Sequence, residues 1–263
     1  MIPLVAAAHG TRDRAGLAAT ADLVDLVRGL RPGLRVEVGY VDVAEPLLSD
    51  TLNRLSGDVV VVPLLLGAGY HVRHDIPAAL AAAPQVSARV AAALGPDPRL
   101  ADILLDRLAE VGALRPQPVD KKVEIGGSVD NPVCDAIVLA AAGSTDASAN
   151  ADTARMAELL AELTGRTVVP SYLCAGTPTP RDAVDALRAS GADHIALAGY
   201  LLGPGHFARK AAAAGATTAA EPLGAHPALA DLVLARYDEA VALPAPYGTP
   251  TRANGANEAK ALS

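Results

Sequence analysis

The sequence predicts an α/β fold: two tandem, related β/α domains, each with a mainly parallel sheet flanked by helices, in a bilobal arrangement. Three observations carry this. Short apolar runs rich in Val, Leu and Ala alternate with segments of helical period, as in strands covered on both faces. A length of 263 residues suits two domains of ordinary size. The chain also repeats itself. Leu94-Gly-Pro-Asp-Pro-Arg-Leu-Ala-Asp-Ile-Leu-Leu-Asp-Arg107 returns as Leu223-Gly-Ala-His-Pro-Ala-Leu-Ala-Asp-Leu-Val-Leu-Ala-Arg236, identical at eight of fourteen positions.

In the first half, strands are expected near 2–8, 35–41, 58–65 and 87–93, and helices near 15–30, 45–56, 74–83 and 97–112. Leu17, Leu23, Leu26, Val27 and Leu30 fall at helical spacing, and Pro32-Gly33 stops that helix. Residues 115–132 hold Pro116, Pro118, a Lys pair, Gly126-Gly127 and Asn131-Pro132, the composition of a linker. Alternation resumes with strands near 135–142, 167–172, 193–199 and 216–220, and helices near 149–164, 180–190, 206–214 and 226–241. The expected domains are therefore 1–114 and 133–242, with a flexible tail over 243–263.

Composition narrows the function. Half the residues are apolar, but there is one Phe and no Trp, so the core must be built from Ala, Val and Leu. No apolar run is long enough for a membrane span, and Met1 to Ala8 has no basic region before it, so neither a membrane anchor nor a signal peptide is expected. Two cysteines, Cys134 and Cys174, make no disulfide framework; both are expected as small buried thiols in a cytoplasmic protein. A net charge of −7 argues against nucleic-acid binding, and an acidic substrate would need a local cationic patch.

The repeat allows the chain to be compared with itself. Val5-Ala-Ala-Ala-His-Gly-Thr-Arg-Asp13 aligns with Val138-Leu-Ala-Ala-Ala-Gly-Ser-Thr-Asp146, and the segment around Gly67-Ala-Gly69 with that around Gly203-Pro-Gly205. The glycines persist in both copies, as turns require. The histidines do not: His9 matches Ala142, His71 matches Phe207 and His74 matches Lys210. The first half is read as active and the second as a degenerate copy. His194, His206 and His226 are taken as structural.

Ligands bind beyond the carboxyl ends of strands in open parallel sheets, which is where His9, Asp42, Glu45 and His71 fall. Two imidazoles and one or two carboxylates suit a divalent first-row metal, and they suit proton transfer near neutral pH equally well. Asp42 and Glu45 also fit a purely local role at a helix start. No third glycine completes a dinucleotide fingerprint after Gly67, and neither a P-loop nor a Gly-x-Ser-x-Gly elbow is present.

These segments resemble the sirohydrochlorin chelatase family, the class II chelatases of siroheme and cobalamin synthesis. The resemblance rests on the strand ending in His9-Gly10, on Asp42-Val-Ala-Glu45-Pro46, and on Val61 to Pro77 with its Gly69-Tyr-His71 and Asp75-Ile-Pro77. It is strong over residues 1–112, reaches 135–242 through the repeat, and points to the long, two-domain form. It implies a lyase that inserts Fe²⁺ or Co²⁺ into sirohydrochlorin without ATP; the motif does not set the metal preference, and iron is expected slightly ahead of cobalt. No permanently bound cofactor is implied, and the metal is a substrate. His9 and His71 would bind the metal and accept pyrrole protons, with Asp42 or Glu45 assisting. Arg12, Arg14, Arg73, His74 and Lys210 or Arg209 are candidates to meet the carboxylates of the macrocycle. A monomer is expected, with an oligomer as the alternative, and neither nucleic acid nor membrane as partner. Two rival readings stand beside this one. A non-catalytic metal or tetrapyrrole carrier would use the same cleft. A histidine phosphatase would need an Arg before its histidine, where this chain has Ala8.

Overall fold

The computed structural model of the chain describes residues 1–114 and 133–243. The expected linker at 115–132, and the expected tail apart from Leu243, lie outside the described residues. The first half forms β1 (Leu4–Ala8), α1 (Arg14–Leu30), β2 (Val36–Tyr40), α2 (Leu48–Asn53) and β3 (Gly57–Leu64). A π-helical turn (His71–Asp75) then runs into α3 (Ile76–Ala81), followed by β4 (Val86–Val90) and α4 (Pro98–Glu110). The second half forms β5 (Ala136–Ala141), α5 (Ala147–Thr164), β6 (Thr167–Tyr172), α6 (Pro180–Ala189), β7 (Ile195–Tyr200), α7 (His206–Ala212), β8 (Thr218–Ala219) and α8 (Pro227–Ala242).

Each half contributes a four-stranded parallel sheet, ordered β2-β1-β3-β4 and β6-β5-β7-β8. Alternation along the strands sets the layers. Leu4, Ala6 and Ala8 of β1, with Val60, Val62 and Leu64 of β3, face the space between the two sheets. Val5, Ala7, Val59 and Val61 face outward onto Leu48 and Leu52 of α2 and Ile76 of α3. In the second sheet Ile137 and Leu139 face the shared interior, while Val138 packs on Val184 and Leu187 of α6. Helix starts follow the same duplication: Asp13 caps α1 and Asp146 caps α5, each accepting from a main-chain N–H two residues on.

The layer between the sheets is exchanged. Helix α4, from the first half, packs on β7, and α8, from the second half, packs on β3 and β4. Helix α1 lies against α8, and α4 lies against α5. Leu100, Ile103, Leu104 and Leu108 of α4, and Leu229, Leu232 and Val233 of α8, are fully buried there. Each such side chain is worth about 1.5–3 kcal/mol of burial. The repeated stretches are cross-linked as well. Arg107 donates from Nε and Nη2 to the Leu223 carbonyl at 3.3 and 3.0 Å, and Arg236 donates from Nη2 to the Leu94 carbonyl at 3.3 Å. The arginine that ends each copy thus binds the leucine that opens the other.

Two expectations need correction. The helix expected over 45–56 begins at Leu48, because the Tyr40 N–H donates to the Pro46 carbonyl and Tyr40 pairs with Leu47, holding 46–47 against the sheet. Cys134 is buried, and burial raises its thiol pKa, but Cys174 is exposed at the end of β6. Among the described residues no helix is long and apolar enough to cross a membrane.

Candidate active site

In the order β2-β1-β3-β4, the chain leaves β1 toward one edge and β3 toward the other, so the cleft opens between the ends of β1 and β3. His9 follows β1, and His71 follows β3. Their rings meet edge to face with centroids 4.4 Å apart and planes at 84°. Gly10, at φ 93°, lets the chain after His9 pass close to Asp42: an added Cβ would overlap the Asp42 carbonyl oxygen. Gly143 repeats the conformation at φ 84°, but its neighbour is Ala142.

Hydrogen bonding fixes the tautomer of both imidazoles. His9 Nδ1 lies 3.0 Å from the Gly10 carbonyl oxygen, and His71 Nδ1 lies 2.6 Å from Asp75 Oδ2. A carbonyl and a carboxylate only accept, so Nδ1 is the donor in each ring. In the neutral rings Nε2 is then a lone pair. The π-helical turn brings His71 and Asp75 onto one face, four residues apart. His74 donates from Nδ1 to the Tyr70 carbonyl at 3.3 Å, and its ring stacks on Tyr70 at 4.4 Å and 12°. Tyr70 in turn stands edge-on to His71.

The carboxylates take different places. Asp42 lies beside His9 along the backbone, its N–H donating to the His9 carbonyl at 3.0 Å, but its Oδ1 accepts from the Val43 N–H at 2.8 Å. Glu45 is exposed and has no hydrogen-bond or ion-pair partner among the described residues. No group of three or more His, Cys, Asp or Glu residues able to hold a metal occurs among the described residues. The site is a pair of imidazoles with an open remainder.

The cationic candidates also separate. Arg12 and Arg14 are exposed and unpaired among the described residues. Arg73 crosses to the second half, donating to the Ser148 hydroxyl at 2.7 Å and lying 3.5 Å from Asp146. Its counterpart Arg209 pairs with Asp13 at 2.7 Å and, with the Ala15 N–H, holds that carboxyl below its ordinary range. Lys210 donates to the Leu173 carbonyl.

In the sequence Asp75 is marked only by the Asp75-Ile-Pro77 motif; its His-x-x-x-Asp spacing is the signal for its contact with His71. Tyr200 is a contact no local pattern shows. This buried tyrosine of β7 donates its hydroxyl to the Leu66 carbonyl at 3.0 Å, beneath the loop that carries His71, and Gly95 leaves room for it. Burial drives its pKa strongly upward, so it stays a donor.

The second half repeats the backbone without the side chains. Tyr40 donates to Pro46, and Tyr172 donates to Pro178. Asp42 N–H bonds to the His9 carbonyl, and Cys174 N–H to that of Ala142. Hence Asp42, Glu45 and Asp75 correspond to Cys174, Thr177 and Ala211.

Both halves of the chain resemble known proteins. The CbiX family model matches residues 3–111 and again 136–240, together most of the chain. A sirohydrochlorin cobaltochelatase of Sulfurisphaera tokodaii is 35% identical over 80 residues, 29% of this chain and 67% of that protein. A sirohydrochlorin ferrochelatase of Priestia megaterium is 24% identical over 206 residues, 74% of this chain and 70% of that protein. The structure of SirB from Bacillus subtilis with Fe³⁺ superposes at a TM-score of 0.69 and 22% identity, covering 92% of this chain and 96% of that one; at that identity the likeness is one of fold. Matched by the same family model once in each half, this chain belongs to the CbiX family.

Proposed function

We propose that this chain is a sirohydrochlorin chelatase, inserting Fe²⁺ or Co²⁺ into the macrocycle without ATP. The observation that carries the reading is the facing pair His9 and His71, each with Nδ1 occupied and Nε2 free, at the switch point of the one half that keeps its histidines.

The chemistry follows from that arrangement. Two neutral imidazoles replace part of the water shell of an incoming divalent ion, and too few protein ligands surround it to trap it. As the metal moves to the macrocycle nitrogens, each Nε2 is released and accepts a pyrrole proton. Asp75, accepting from Nδ1–H, orients the His71 ring and keeps Nε2 available to the metal. Glu45, the uncommitted carboxylate, assists by drawing the cation in. Arg12 and Arg14 meet substrate carboxylates against the overall negative field of the protein. Arg73, His74 and Lys210 already have protein partners and contribute to the substrate only by exchanging them.

The test is anaerobic metallation of sirohydrochlorin followed by absorbance, with Fe²⁺ and Co²⁺ in parallel. Enzyme-dependent multiple turnover is expected, and the ratio of rates ranks the metals. Stoichiometric binding without acceleration would replace the chelatase by a carrier.

A further inference from the structure

Among the described residues Val43 is the one non-glycine residue with a positive φ, at 67°. The Ala44 N–H donates to the Asp42 carbonyl at 2.8 Å, so Val43 is the centre of a three-residue γ-turn of the positive-φ kind, which is rare and strained. A β-branched side chain is among the worst to place there. It is also 44% exposed, so it adds little to the core. Glycine or asparagine would make the same turn more cheaply and keep an exposed surface polar. Neither local conformation nor packing accounts for an isopropyl group at this position.

Its location supplies the missing reason. The turn is tied to the backbone of His9 and Gly10 through Asp42. Asp42 N–H donates to the His9 carbonyl at 3.0 Å, and Gly10 presses on the Asp42 carbonyl. Asp42 Oδ1 holds the Val43 N–H at 2.8 Å, which fixes the strained conformation. The second half is the internal control. Its matching segment makes the same sheet-end bonds, Leu173 N–H to Ala141 and Cys174 N–H to Ala142. There the residue matching Val43 is Ala175, which has no positive φ; the positive φ falls instead on Gly176, at 129°. Among the described residues, a positive φ on an apolar side chain therefore occurs only beside the histidines, as expected where it serves a function.

We propose that Val43 is a substrate-contacting residue, presenting an apolar surface to the macrocycle of the tetrapyrrole beside His9 and setting its position over the histidine pair. The proposal rests on the chelatase reading and adds to it a contact with the apolar body of the substrate, distinct from the cations that meet its rim.

The experiment compares the unmodified chain with Val43→Gly, Val43→Asn and Val43→Ile. It measures thermal midpoint, fluorescence titration of metal-free sirohydrochlorin, and anaerobic metallation. Val43→Gly and Val43→Asn, released from strain, are expected to melt about 2–4 °C higher. They should bind sirohydrochlorin about 10-fold more weakly, with KM raised in the same proportion and the loss absent from kcat. Val43→Ile, which restores the apolar surface, should return binding to within about twofold of the unmodified chain. Tetrapyrrole affinity in Val43→Gly matching the unmodified protein, or a loss confined to kcat, overturns the contact while leaving the chelatase reading intact. An unmodified chain that neither binds nor metallates sirohydrochlorin overturns both.

Discussion

The carboxylate of Asp75 lies 2.6 Å from Nδ1 of His71, four residues earlier on the same π-helical turn. That contact engages Nδ1 and leaves Nε2 as the nitrogen that, on the proposed function, meets the incoming metal. Removing the carboxylate frees the ring to rotate and to exchange tautomers. Asp75→Ala is expected to lower metallation about 10- to 100-fold. Asp75→Asn, whose amide oxygen still accepts from Nδ1–H, should recover much of the loss. Equal damage from both variants would show that the charge of Asp75, rather than its orientation of the ring, is what matters.

His9→Ala and His71→Ala should each reduce metallation at least about 100-fold with an unchanged circular dichroism spectrum, since neither ring belongs to the core. His206→Ala, in the half without the paired imidazoles, should stay within about twofold of the parent rate. Comparable losses from all three variants would overturn the assignment of one active half.

The two cross-linking arginines should differ in weight. Arg107 donates to the Leu223 carbonyl and also to exposed Glu110. Arg236 donates to Ala93 and Leu94 carbonyls and to the buried Asp97 at 3.0 Å. Arg107→Ala is expected to cost about 1 kcal/mol and Arg236→Ala about 2–3 kcal/mol, because Arg236 serves two main-chain carbonyls and is one of the two arginines that hydrogen-bond the buried Asp97. Urea unfolding of the two variants checks the order.

Acid should weaken this same contact. Burial pushes the Asp97 carboxyl up, but hydrogen bonds from Arg99 and the charge of Arg236 outweigh it and hold the group below its ordinary value. A carboxyl depressed in the folded state adds stability above its unfolded value, near about 4, and loses it as pH falls through the lower folded value. Asp238, hydrogen-bonded by Arg31 across the same interface, and Asp13, hydrogen-bonded by Arg209, shift in the same direction. Asp97→Asn should therefore be less stable at neutral pH and show a flatter decline in stability below about pH 4. An acid limb as steep as the parent's would remove Asp97 from the account.

Much of this was legible in sequence, for identifiable reasons. Strands covered on both faces leave apolar runs, and helices over them leave a helical period, so every strand and helix of both halves lies near its expected place. His9 and His71 stood out because Ala142 and Phe207 occupy the same backbone in the second copy. What escaped depends on contacts distant in the chain or on dihedral angles. The exchange of α4 and α8 leaves no local mark, since a helix buries the same stripe against either sheet. Tyr200 reaches Leu66 from 134 residues away. Val43 reads as an ordinary valine until its φ is known. Asp42 kept two readings in the sequence, metal ligand or local cap; its Oδ1 is engaged by the Val43 N–H.

The swapped helices, with Arg107 on Leu223 and Arg236 on Leu94, reproduce within one chain the self-complementary contact of a two-fold dimer. In a dimer of identical subunits every substitution appears twice, so a side chain that improves support at one mouth is imposed on the chemistry at the other. Joining the copies end to end removes that obligation. Ala142 and Phe207 can stand where His9 and His71 stand in the other copy, and Tyr200 can brace a loop it does not belong to. Covalent continuity thus lets a symmetric scaffold hold one mouth lined by paired imidazoles and one that is free to specialise in holding it.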